Sequence, residues 1–104
     1  MKAIASVLLV LAAVGSGGGQ ESQDGYVPDE GFIPSKEVAI KVAVAVWEPI
    51  YGAEKIAKEA PYRATLADGV WTVEGSLSKG VKGGVALAKI AKQDGRILRV
   101  THGK

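Results

Sequence analysis

Few residues in this chain of 104 could carry out chemistry. There is one histidine, His102, and no cysteine, so a histidine-cysteine metal site and a cysteine nucleophile are excluded. A nucleophilic serine would need His102 beside it and an aspartate behind the ring. The candidates are Ser76, Ser78, Asp68 and Asp94. Their spacing does not favour such a triad, and His102 is interpreted as a strand-end or surface residue.

Acid-base catalysis would instead need two carboxylates in one pocket. The candidates are Glu48, Glu54, Glu59 and Glu74. Solvated or ion-paired carboxylates are far more common, so no catalytic residue is assigned. The stretch from Lys79 to Gly84 contains the residue types of a phosphate-binding loop, but in the wrong order and with no helix after it. We therefore expect no enzyme activity, no metal and no cofactor.

Two Asp-Gly pairs, Asp68-Gly69 and Asp94-Gly95, define the elements that position these residues. Each lies between short runs rich in Val, Ile, Leu or Trp, and this pattern predicts two β-hairpins. A two-residue turn at Asp68-Gly69 brings apolar residues together, with Leu66 opposite Trp71 and Ala64 opposite Val73. For the second hairpin we expect a three-residue loop, Gln93 to Gly95, with Gly95 in the left-handed region. This loop pairs Ile90 with Leu98 and Ala88 with Val100.

A helix is predicted before the strands. Ser35 is a suitable N-cap, and Pro49 is expected to mark the end of the helix. Its apolar face is predicted from the helical period to contain Val38, Val42, Ala45, Val46 and Pro49. A buried strand is the alternative, but length and capping favour the helix. A second, shorter helix is predicted from Ala53 to Glu59, and Trp47 and Trp71 are expected to line the helix-sheet interface.

The predicted fold is therefore α+β, with one long and one short N-terminal helix packed on a four-stranded antiparallel meander. We assign residues 1–19 to a signal peptide, 20–34 to a flexible polar linker and 35–104 to the α+β domain. In the linker, Tyr26 to Pro28 and Phe32 to Pro34 could pack on the domain as a short arm. Because there is no lipobox cysteine, a periplasmic or secreted protein is expected, with only transient membrane contact through the signal peptide.

Charge is distributed unevenly along the chain. From Gly75 to Lys104 there are seven Lys or Arg residues against Asp94 alone, whereas from Gln20 to Pro61 there are eight acidic residues against four lysines. The basic end could orient a protein partner. The candidate partner-binding residues are Tyr51, Lys79, Lys82, Arg96 and Arg99. No nucleic acid is expected, because the strands lack aromatic stacking pairs, and a homodimer is left open.

The chain also resembles bacterial immunity proteins of the nuclear-transport-factor-two-like fold, from about Gly31 to Lys104. The segments that carry this resemblance are 39–43, 47–52, 68–75, 83–86 and 94–97 running into 102–104. The resemblance implies a cone-like domain and a protein that neutralises a cognate toxin by binding it, without catalytic residues. For an exported inhibitor we expect a toxin that attacks the cell wall or membrane. The alternatives are a cystatin-like or PepSY-like module that inhibits a peptidase or binds a small ligand, and an enzyme that uses the cone as its active-site cup.

Overall fold

The computed structural model describes residues 25–103, which form two helices followed by four strands. The elements are helix α1 (Lys36–Tyr51), helix α2 (Ala53–Ala57), and strands β1 (Arg63–Ala67), β2 (Val70–Glu74), β3 (Ala86–Ala91) and β4 (Ile97–His102). The strands form one antiparallel sheet in sequence order, and α1 packs across β1, β2 and β3. The predicted α+β fold is confirmed. The signal peptide predicted at 1–19 lies outside the described residues.

Helix α1 begins as predicted, because the Ser35 hydroxyl accepts a hydrogen bond from the Val38 amide at 3.3 Å. Its end differs from the prediction. Pro49 lies inside the helix, which continues to Tyr51. A proline removes one backbone donor, but Pro49 is exposed, so the unpaired carbonyl one turn earlier can bind water. Gly52, at φ 101°, ends the helix instead.

The buried face of α1 also differs from the predicted one. It consists of Ala39, Ala43 and Trp47, whereas Ala45 and Pro49 are exposed. The two small alanines let the helix approach the sheet closely, and the tryptophan fills the space beyond them. The neighbouring valines lie at the margins of this face and are partly buried. Helix α2 ends at Ala57, two residues before the predicted end.

The first hairpin has the predicted register. Leu66 lies opposite Trp71, and Ala64 lies opposite Val73. Asp68 and Gly69 both have positive φ, at 50° and 75°, as a two-residue hairpin turn of type I′ requires. The local sequence was sufficient to predict this register, because the turn type and the alternation of apolar residues specify the same pairing of the strands.

The second hairpin is only partly as predicted. Ala88 pairs with Val100, and Gly95 has the predicted left-handed conformation, at φ 79°. However, Ile90 pairs with Ile97 instead of Leu98, because the register shifts between Lys89 and Ile90. The loop is one residue longer than predicted, and a bulge in β4 at Leu98 restores the register further along.

The core lies between α1 and one face of the sheet, and Trp47 and Trp71 both line it as predicted. Trp47 is fully buried, and Trp71 is 7% exposed. The indole of Trp47 donates to the Leu87 carbonyl at 3.3 Å, and its ring centroid is 5.9 Å from that of Tyr62. Among residues 25–103, the other buried apolar side chains are Ile33, Ala39, Ala43, Ile56, Val73, Ala86, Ala88 and Ile90.

A segment before α1 packs against the loop between β3 and β4. The Phe32 and Ile33 amides donate to the Gln93 and Lys92 carbonyls, both at 3.0 Å. Trp71 Nε1 donates to the Ile33 carbonyl at 2.8 Å, and the Ile33 side chain is buried. Within residues 25–103, no helix is both long and apolar enough to cross a membrane.

Candidate functional site

Glu59 is the one buried charged residue among those that the structure describes, with 7% of its surface exposed. It lies two residues after α2, where Pro61 prevents the helix from continuing. Its Oε1 accepts a hydrogen bond from the Ala86 amide at 2.8 Å, and its Oε2 lies 2.7 Å from His102 Nε2. Both oxygens of the buried carboxylate therefore have partners, as burial of a charged group requires.

His102 reaches Glu59 because it is the last residue of β4 and points to the core face of the sheet. It shares this face with Val100 and pairs with Ala86 across the strands. Its Nδ1 lies 2.8 Å from the Gly103 carbonyl, and its ring centroid is 5.0 Å from that of Tyr51. Both ring nitrogens thus face an oxygen atom, Glu59 Oε2 on one side and the Gly103 carbonyl on the other.

Backbone contacts attach the connector between β2 and β3 to the same corner. The Ser76 amide donates to the Glu59 carbonyl at 2.6 Å, and the Ser76 hydroxyl donates to the Pro61 carbonyl at 2.5 Å. Gly75 lies directly against the Glu59 side chain, so that a Cβ added there would be 2.5 Å from Oε1. Glu59 therefore joins the end of α2, the connector, the start of β3 and the end of β4.

An open cleft of about 440 Å³ lies beside this pair. Its lining residues are Lys55, Lys58, Glu59, Ser76, Leu77, Ser78, Val81, Lys82, Gly83, Gly84, His102 and Gly103. Its three lysines are exposed, and within residues 25–103 none of them has a carboxylate oxygen within 4.0 Å. Leu77 and Val81 are 44% and 54% exposed. Among the described residues, the cleft thus combines lysines that have no ion-pair partner with accessible apolar side chains, and exposed apolar side chains rimmed by polar ones are typical of protein-binding sites.

The five predicted partner-binding residues do not form one surface. Lys82 lines the cleft, Lys79 lies on the same connector, and Tyr51 packs on the nearby His102 ring. Arg96 lies at the opposite end of the sheet, after the loop between β3 and β4. Arg99 is exposed on the outward sheet face, opposite Lys89. The structure therefore brings Tyr51, Lys79 and Lys82 to one end of the domain and separates them from both arginines.

The side chains that are candidates for catalysis either have other partners or are exposed. His102 binds Glu59 and not a serine, and the Ser76 hydroxyl is directed to a carbonyl group. Asp94 accepts from the Arg96 amide at 3.0 Å in its own turn. Glu74 forms an ion pair with Arg63 at 3.1 Å, whereas Glu48 and Glu54 are exposed. No group of three or more potential metal-ligating residues comes together within residues 25–103.

Tyr62 is an ionisable residue that packs beside the core, against Trp47. Its hydroxyl donates to the Ile56 carbonyl at 2.7 Å. Burial raises the pKa of this tyrosine above its ordinary value of 10.0, and the negative charges of Glu48 and Glu59 raise it further. Tyr62 is therefore neutral under physiological conditions and serves as a hydrogen-bond donor.

The pair of Glu59 and His102 was not identified from the sequence. Each residue was considered there, His102 as a strand-end or surface residue and Glu59 as one of four carboxylates. One signal was available, since the predicted pairing of Ala88 with Val100 places every second residue of β4 on the core face. His102 has the parity of Val100, so a polar ring on that face required a buried partner.

The sequence of this α+β domain matches a known family of proteins. The family model described as NTF2 fold immunity protein matches residues 38–104. The chain therefore belongs to the NTF2 fold immunity protein family. This agrees with the resemblance noted in the sequence, and immunity proteins of this kind are typically not enzymes.

A curated relative is the uncharacterized protein YhhH of Escherichia coli (strain K12). It is 36% identical over 74 residues, which cover 70% of this chain and 58% of YhhH. The chain thus spans less than two thirds of the length of this relative. No solved structure matches the chain.

Proposed function

We propose that this protein neutralises a cognate toxin by binding it and covering the surface through which it acts. The observation that carries the proposal is the family match, which extends from the start of α1 to the end of the chain. Immunity implies a toxin as partner, and occlusion requires no catalytic group on the inhibitor. A folded domain with an accessible cleft is suited to this role, since the inhibitor need not fold when it binds.

We further propose that the inhibition takes place in the periplasm or outside the cell. The support is the apolar run from Ala3 to Val14, which follows Lys2 and precedes small residues suited to cleavage. An inhibitor in that compartment meets toxins that attack the cell wall or the membrane. This narrows the class of partner without identifying it.

The proposal is tested by expressing the protein with the product of a neighbouring toxin gene directed to the periplasm. We expect the full chain to restore growth and a variant that lacks residues 2–19 to fail, because it remains in the cytoplasm with an intact domain. Purified toxin and inhibitor should elute as one complex. Growth arrest despite equal expression of the full chain, with no complex formed, would contradict the proposal. Saturable inhibition of an envelope peptidase without protection would indicate the cystatin-like or PepSY-like alternative.

A further inference from the structure

We infer that the cleft beside Glu59 and His102 binds an acidic peptide segment of the protein partner, with carboxylates on the rim lysines and an aliphatic side chain between them. The inference rests on the proposed function, in that the partner is a protein. It adds the location of the contact and the chemistry of the segment that is recognised.

The charge argument concerns three lysines that come from different parts of the chain. Lys55 and Lys58 belong to α2 and its C-cap, whereas Lys82 belongs to the connector between β2 and β3. They line one concave surface, and residues 25–103 supply none of them with an ion-pair partner. Like charges around a concavity repel one another and concentrate anions there. A ligand with two or more carboxylates would relieve this repulsion.

The apolar argument concerns Leu77 and Val81 in the same lining. Both are large aliphatic residues with about half of their surface in water. Beside them, Gly83 and Gly84 carry no side chain that could obstruct an approaching backbone. An aliphatic side chain of a bound peptide would cover the exposed leucine and valine, which is favourable in proportion to the apolar area removed from water.

A peptide fits these features better than a nucleic acid or a membrane. The described lining contains no Trp, Tyr or Phe ring on which a base could stack, and the one aromatic ring there, His102, already contacts Glu59 and Tyr51. A flat lipid surface cannot enter a concavity of this kind. The volume of about 440 Å³ is in the range of sites that enclose small ligands, enough for a few side chains.

The test uses a short acetylated peptide of alternating glutamate and leucine, added to the ¹⁵N-labelled full chain. We expect chemical-shift changes at the amides of Ser78, Gly83 and Gly84 that saturate and weaken with added salt. The variant K55E/K58E/K82E should bind at least about tenfold more weakly, since three attractive pairs become repulsive. The matched control is K36E/K41E/K89E, which has the same net charge but changes exposed lysines outside the cleft. It should bind like the wild type.

Both variants are first compared with the wild type in urea unfolding. If the cleft variant is unstable, Lys55, Lys58 and Lys82 are changed to glutamine, and a weaker loss in the same direction is expected. Equal weakening by the cleft and control variants, shifts outside the cleft, or no binding of the peptide would overturn the inference. The inference would also be overturned if anionic vesicles or an oligonucleotide bound more tightly than the peptide and the cleft variant abolished that binding.

The toxin assay separates this inference from the proposed function. If the wild type protects cells and the cleft variant protects equally well, the inference fails and the proposed function stands. If the wild type gives no protection while the peptide binds at the cleft, the proposed function fails and the recognition chemistry stands. Loss of protection by the cleft variant alone supports both.

Discussion

Replacement of Glu59 tests whether this carboxylate holds the corner of the domain together. In Glu59→Ala, the Ala86 amide loses its acceptor in a buried position, which costs about 1–3 kcal/mol. His102 loses a charge-assisted hydrogen bond, which costs about 1.5–3 kcal/mol. The sum agrees with the roughly 3–5 kcal/mol lost when one partner of a buried pair is removed. This is a large part of the roughly 5–15 kcal/mol that stabilises a typical domain.

The conservative variant Glu59→Gln separates charge from shape. Its side-chain carbonyl can still accept from Ala86, and its NH2 group then faces His102 Nε2. A neutral hydrogen bond from this NH2 group to the ring nitrogen, which must then accept, replaces the charge-assisted one. We expect a destabilisation of about 1–2 kcal/mol, because charge-assisted hydrogen bonds are roughly twice as strong as neutral ones. A double-mutant cycle with His102→Ala should give a coupling energy of about 1–2 kcal/mol between the two positions.

The assay is equilibrium unfolding in urea, followed by the fluorescence of Trp47 and Trp71. With a slope of about 1 kcal/mol per molar, Glu59→Ala should lower the midpoint by about 3 M, or unfold the chain in the absence of urea. In the latter case the glutamine variant supplies the measurement. A loss below about 1 kcal/mol for Glu59→Ala, or additive effects at the two positions, would refute the assigned role.

Three further predictions concern other contacts of the fold. Gly75→Ala should cost about 1–3 kcal/mol, because its Cβ would lie 2.5 Å from Glu59 Oε1; this cost should shrink in a Glu59→Ala background, where only the 2.9 Å approach to the Cβ of residue 59 remains, and a cost that does not shrink would contradict the contact with Oε1. Gly31→Ala should release the segment before α1, since its Cβ would lie 2.5 Å from the Lys92 carbonyl at φ 86°; hydrogen exchange at the segment's amides should rise, and unchanged protection would disprove the packing. Tyr62 should ionise at higher pH than free tyrosine, measured as the tyrosinate absorbance lost in Tyr62→Phe, because burial raises its pKa. Because the folded chain holds this proton more tightly than the unfolded chain, the contribution of Tyr62 to the free energy of unfolding is complete below about pH 10 and is lost as the pH rises through the raised pKa. An equal loss of stability at high pH in Tyr62→Phe would argue against this role.

Much of the sheet could be predicted from the sequence because hairpins are local. At Asp68-Gly69, the two positive φ angles and the apolar alternation lead to the same register, and the structure has it. At Asp94-Gly95 the sequence indicated the turn and the pairing of Ala88 with Val100. The sequence did not predict the bulge at Leu98. Apolar and polar residues still alternate on each side of a bulge, and the position of the bulge depends on how the strands twist and pack.

In helix α1, too, the features set by neighbouring residues were predictable and those set by packing were not. Its start depends on Ser35 and its own first turn, so the N-cap was predictable from neighbouring residues. The face that the helix buries was not predictable, because valines and alanines lie on several sides of the helix. Packing on the sheet selected the small Ala39 and Ala43 with Trp47, since close approach of two elements needs small side chains at the contact.

By itself, then, the sequence determined the α+β class, the tight first hairpin, the start of α1 and the resemblance to immunity proteins. Only the tertiary structure decided which residues form the candidate site. Glu59 and His102 are 43 positions apart in the sequence, and their contact exists because α2 ends beneath the last residue of β4. Local propensities act over a few residues, whereas the buried contact of Glu59 with His102 and the lysines beside it are brought together only when distant elements pack.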